Sequence, residues 1–82
     1  MSLVTEEEAG GYLSRAVGAN LRAYRYEHGL SQAECARVLG IHPVYLAKVE
    51  RGMRNLSLRT VERFAQRLGY ESADLLRSPT HL

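Results

Sequence analysis

The sequence contains one cysteine (Cys35), one aspartate (Asp74), one lysine (Lys48) and two prolines (Pro43 and Pro79) in 82 residues. A lone thiol excludes an internal disulfide and cannot build a cysteine cluster for a metal, and such sparing use fits a reducing compartment. No apolar run approaches the roughly 18 residues that a membrane span requires, and no secretory leader pattern follows the amino terminus. His28, His42 and His81 are scattered, and the sequence has no Ser/His/Asp, Cys/His or HExxH grouping and no glycine-rich phosphate loop. These absences predict a soluble cytoplasmic protein that is not an enzyme and uses no metal, cofactor, membrane or small-molecule ligand.

Eighty-two residues bound the chain to one domain, and a chain this short buries only roughly 60% of its unfolded surface. Apolar residues make up 45% and charged residues 24%, an ordinary globular balance. The net charge is +2, and ten of the eleven basic residues are arginine, so planar, bidentate donors dominate any basic surface. That balance does not by itself identify an acidic partner.

Residues 1–11, MSLVTEEEAGG, join an acidic triplet to a glycine pair without a sustained apolar face, and they read as a loose arm. From Tyr12 the apolar positions Leu13, Val17, Leu21 and Tyr24 recur every three or four residues, which predicts one face of a helix ending near His28 and Gly29. SQAE, residues 31–34, is a capping box that starts a second helix with Cys35, Ala36 and Leu39 inward and Gly40 as its stop. Pro43 suits the first turn of a third helix, because its φ is already helical and its missing amide hydrogen has no partner there. This helix is expected to run to Arg51, with Gly52 closing it.

Residues 53–56 read as a loop. Ser57 caps a fourth helix with Val61, Phe64, Ala65 and Leu68 inward, and Ser72 is expected to cap a short fifth helix carrying Leu75 and Leu76. With no convincing strand, the expected fold class is all-α, a five-helix bundle spanning residues 12–78 with a tail at 79–82.

The second and third helices and their connection, QAECARVLGIHPVYLAKVER, carry the functional signal. Two steeply crossing helices must touch at the small Ala36, turn at Gly40 and share a wedge of Cys35, Leu39, Ile41, Leu46 and Val49. That is helix-turn-helix geometry, and it leaves the outer face of the following helix free to enter a major groove.

Four stretches in order, VGANLRAYRYEHGLSQ, ECARVLGI, VYLAKVERG and SLRTVERFAQRLG, resemble the lambda-repressor-like, Xre-type helix-turn-helix regulators from about Val17 to Leu76. Within that family, ERGMRNLSLRTVERFAQRLG is similar to the controller proteins of restriction-modification systems, which are short stand-alone dimers. The resemblance implies a sequence-specific transcriptional regulator that binds double-stranded operator DNA as a homodimer.

Residue by residue, the resemblance implies that Gln32 meets a backbone phosphate and that Tyr45 touches phosphate or packs. Lys48 would reach a guanine edge or a phosphate, and Arg51, Arg54 and Asn55 would follow the DNA backbone. It also pairs Arg25 with Glu50, a bridge that would fix the reading helix. Arg22 and Arg59 are weaker candidates for DNA contact. Pro43 and Val44 give the reading helix an apolar leading edge suited to thymine methyl groups, and His42 either caps the helix or touches the backbone.

Tyr70, Leu75 and Leu76 exceed what one small core absorbs and are assigned to the dimer surface. The competing class is an antitoxin or protein-interaction module with the same fold, which would carry a longer segment for wrapping a partner.

Overall fold

The computed structural model describes residues 11–78, which form five helices: α1 Gly11–Glu27, α2 Gln32–Leu39, α3 Pro43–Glu50, α4 Leu58–Leu68 and α5 Ser72–Leu76. The assigned arm, apart from Gly11, and residues 79–82 of the tail lie outside the described residues.

Local chemistry sets the helix ends. Ser31 Oγ accepts from the Glu34 amide at 3.1 Å while the Ser31 amide donates to the Glu34 carboxylate at 2.8 Å, so both halves of the capping box form. Ser57 Oγ likewise accepts from the Thr60 amide at 3.1 Å at the start of α4. The fifth helix differs from expectation: Glu71, not Ser72, holds the N-cap position, and Ser72 is the first helical residue. Asp74 takes the Glu71 amide at 2.9 Å, the reciprocal half of a capping box centred on Glu71.

The core is one cluster drawn from all five helices. Val17 and Leu21 come from α1, Cys35, Ala36 and Leu39 from α2, Leu46 and Val49 from α3, Val61, Phe64, Ala65 and Leu68 from α4, and Leu75 from α5. Helix α1 packs on α3 and α5, α2 on α3 and α4, and α4 on α5. Burial pushes the Cys35 thiol up, Glu50 adds to this and Arg25 opposes it, so the group is a protonated core side chain.

Two apolar assignments change. Leu13 was expected on the inward face of α1 but is 54% exposed. Together with Ser14, Val17, Leu56, Leu58, Val61 and Leu76 it lines an open groove between α1, α4 and α5. Leu75, assigned to a dimer surface, is fully buried in the monomer because α5 turns it against the shared cluster. Tyr70 packs edge-on against Tyr24 with ring centroids 5.6 Å apart, and only Leu76 of the three remains at the groove.

Two contacts fix α1 against its neighbours. A Cβ at Gly18 would collide with the Val49 carbonyl oxygen and lie 2.9 Å from that of Glu50, so only glycine lets α1 approach the end of α3 this closely. Asn20 Nδ2 donates to the carbonyls of Leu75 and Arg77, both at 2.8 Å, and pins the end of α5 to α1.

Candidate nucleic-acid interface

An eight-residue helix has room for one inward and one outward stripe, and α3 divides its side chains accordingly. Leu46, Val49 and Glu50 are buried, whereas Val44 and Lys48, four residues apart, are exposed, as is Arg51 just past the helix end. Pro43 occupies the first turn as expected. His42 precedes it as N-cap, its Nδ1 accepting from the Val44 amide at 3.1 Å. With Nδ1 the acceptor, the neutral ring carries its proton on Nε2, which remains a donor.

The far end of α3 is held by a charge network. Arg25 Nε donates to Glu50 Oε2 at 2.8 Å and its terminal Nη2 to Oε1 at 3.0 Å, a bidentate pair between α1 and α3. The remaining Arg25 Nη1 donates to the Leu30 carbonyl at 3.3 Å, and the guanidinium lies 4.8 Å from the Tyr26 ring centre. Arg22 Nε stands 3.7 Å from Glu50 Oε1.

Burial pushes the Glu50 carboxyl up, but hydrogen bonds from Arg25 and Gln32 and the charges of Arg25 and Arg22 outweigh it, leaving the group below the usual carboxylate range. The hydrogen bond to Glu50 correspondingly raises Arg25. Glu50 is the single carboxylate of α3, and it is turned inward and neutralised, so the outer face of the helix carries no negative charge.

Gln32 departs from its expected outward role. Its Nε2 donates to Glu50 Oε1 at 3.1 Å, and the side chain is half-buried. A neutral donor at the start of α2 completes the shell of a buried carboxylate, which costs less than leaving that oxygen short of a partner. Gln32 thereby ties the first residue of α2 to the last of α3.

Beyond α3 the chain reverses at Gly52, whose φ of 71° is a left-handed value. A Cβ there would also press on Arg15 of α1, with Cγ at 2.6 Å and Cα at 3.1 Å, so the loop lies against that helix. Arg51, Arg54 and Asn55 are all exposed on the loop. The Arg54 guanidinium carbon sits 5.2 Å from the centre of the Tyr45 ring. The structure thus exposes Val44 and Lys48 on one face of α3, with His42 at its start and Arg51, Arg54 and Asn55 just past its end, while Gln32 faces inward and Tyr45 is half-buried beneath Arg54.

Sequence reasoning missed Gly18 and Asn20, which set the position of this face without belonging to it. An isolated glycine inside a helical pattern was the available signal for Gly18. Asn20 left no comparable mark.

A profile of the helix-turn-helix family matches residues 21–75, which include α2, the turn, α3 and α4. The chain belongs to this family of DNA-binding transcriptional regulators of the lambda-repressor type.

A hypothetical transcription factor of Neisseria meningitidis is 41% identical over 66 residues, covering 79% of this chain and 62% of that protein, so the chain spans less than two thirds of that relative. The crystal structure of the Neisseria factor is similar with a TM-score of 0.74 and 32% identity, over 96% of this chain and 87% of that one. The restriction-modification controller protein C.AhdI of Aeromonas hydrophila gives 0.66 at 37% identity, over 76% of this chain and 94% of its own. SinR, a master regulator for biofilm formation solved in complex with DNA, gives 0.65 at 31% identity, over 74% and 98% of the respective chains.

Proposed function

We propose that the protein is a sequence-specific transcriptional regulator that binds an inverted-repeat operator as a homodimer, with α3 of each copy in successive major grooves. The observation that carries the reading is the outer surface of α3. It offers an apolar leading edge of Pro43 and Val44, then Lys48, then the loop cations Arg51 and Arg54, with its one carboxylate withdrawn and paired. Pro43 and Val44 fit thymine methyl groups, and Lys48 reaches a guanine edge or a phosphate.

His42, Arg51, Arg54 and Asn55 contact the DNA backbone. The helix end at Gln32 also faces phosphate, through the amides of α2 more than through its tied side chain. Few direct base donors are present, so recognition leans on methyl contacts and on duplex shape. The likeness to C.AhdI supports a restriction-modification controller role, with control exerted through the protein's own concentration.

The groove lined by Leu13, Leu56, Leu58 and Leu76 is the surface we assign to the second copy. Among the described residues it carries no charged side chain, so the same patch on two copies is self-complementary, as a two-fold interface requires. Leu56 and Leu58 follow Arg54 almost directly in the chain, so pairing there brings the two backbone-tracking loops together.

The test is selection of bound duplex from a random-sequence pool, followed by affinity measured against salt. About four phosphate contacts per subunit predict a log-log slope near −7 for a dimer. A slope near zero would falsify DNA binding as the function.

A further inference from the structure

Tyr45 and Arg54 face each other across the end of α3. Eight residues separate them, and they meet because Gly52 turns the chain back on the helix, with the Met53 amide donating to the Lys48 carbonyl at 3.0 Å. The result is a guanidinium 5.2 Å from an aromatic ring centre, with the arginine exposed and the tyrosine half-buried. A cation over a ring face is attracted to its quadrupole, and an arginine so held has fewer conformations to lose when it binds. Among the described residues Tyr45 has no side-chain hydrogen bond, so its ring is the part of the side chain that the fold uses.

We propose that Tyr45 is a positioning residue that acts on DNA through Arg54: its ring is the platform that stations the loop guanidinium for a backbone phosphate, and its hydroxyl is dispensable. This rests on the proposed DNA-binding role of the loop and adds the route by which Tyr45 serves it. Because the contact is with phosphate, its effect is on affinity for any duplex and not on the choice of base.

A double-mutant cycle tests the proposal, using the intact chain, a duplex recovered from the random pool and a scrambled duplex of the same length. Tyr45→Phe keeps the ring and should bind both duplexes as the parent does. Tyr45→Leu should lose about two- to fivefold per contact on both. Arg54→Ala should lose at least as much, and in its background Tyr45→Leu should cost nothing more.

A spectroscopic arm needs no DNA. In the free protein the Arg54 side-chain protons should show ring-current shifts in NMR spectra that persist in Tyr45→Phe and vanish in Tyr45→Leu. Equal losses for Phe and Leu would show that the hydroxyl itself contacts DNA, and additive losses in the cycle would show that the residues act separately; either result overturns the proposal. A parent protein that ignores salt, yet shows the ring-current shifts, would instead remove the DNA-binding reading and leave the platform standing as a feature of the free protein.

Discussion

At Glu50 a carboxylate with no exposed side-chain surface keeps its charge because three hydrogen bonds, two from Arg25 and one from Gln32, reach its oxygens. Removing one partner of a buried pair strands the other, which costs about 3 to 5 kcal/mol when both are fully buried. Arg25 retains some access to water, with 12% of its side chain exposed, so the lower figure applies. Glu50→Ala should therefore lose about 3 kcal/mol and lower Tm by about 12 °C or more, measured by thermal unfolding.

The same residue sets an acid limit. Its folded pKa lies below the unfolded value, so its stabilisation is present above an ordinary carboxylate pKa of about 4.3 and is lost as pH falls through the depressed folded value. Glu50→Gln should flatten the decline of Tm below about pH 4. Glu34, lowered by the Ser31 backbone amide, supplies part of what remains. An unchanged acid profile in Glu50→Gln would rule out this origin.

Among elements, α1 and α3 approach so closely that Gly18 has no room for a side chain. Alanine normally favours a helix over glycine by about 1 kcal/mol, yet Gly18→Ala should destabilise, because its methyl has only the rigid carbonyls of Val49 and Glu50 to push against. A loss of about 2 kcal/mol or more in denaturant unfolding is expected, and a gain in stability would refute the close approach.

Features written locally were legible in the sequence: the Ser31 and Ser57 caps, the helical start at Pro43, and the buried stripes of α2 and α4. The misreadings were of another kind. Periodicity assigned Leu13 to the inward side of α1 but could not tell that it lies at an open groove and stays 54% exposed, and excess apolar content could not tell that α5 turns Leu75 inward. Gln32 was read from its place at a helix start, whereas its tie to Glu50 spans 18 residues and exists only once α2 and α3 have docked. In each case the deciding partner lies on a different element.

For the whole molecule, the exposed apolar side chains include Val44 on the outer face of α3 and, apart from it, Leu13 and Leu58 at the groove between α1, α4 and α5. Leu58, 73% exposed, lines that groove with Leu13 and Leu76. A charge at the centre of a paired apolar surface opposes association without touching the monomer core. On the proposed function, Leu58→Asp should remain helical by circular dichroism yet sediment as a monomer at concentrations where the parent is expected to dimerise, and its DNA affinity should fall with it. Dimerisation equal to the parent's would move the interface elsewhere.

Glu50 joins the last residue of α3 to both α1 and α2, and Gly18 sets the backbone of α1 against the same end. In mechanical terms α3 is a strut clamped at its base, and on the proposed function it would have little freedom to swivel on meeting a groove of the wrong width. Adjustment falls to the more compliant body, the duplex, whose stiffness varies from one base step to the next. On the proposed function, the clamp that stabilises the fold would thus also convert DNA flexibility into a component of recognition, at positions no side chain touches.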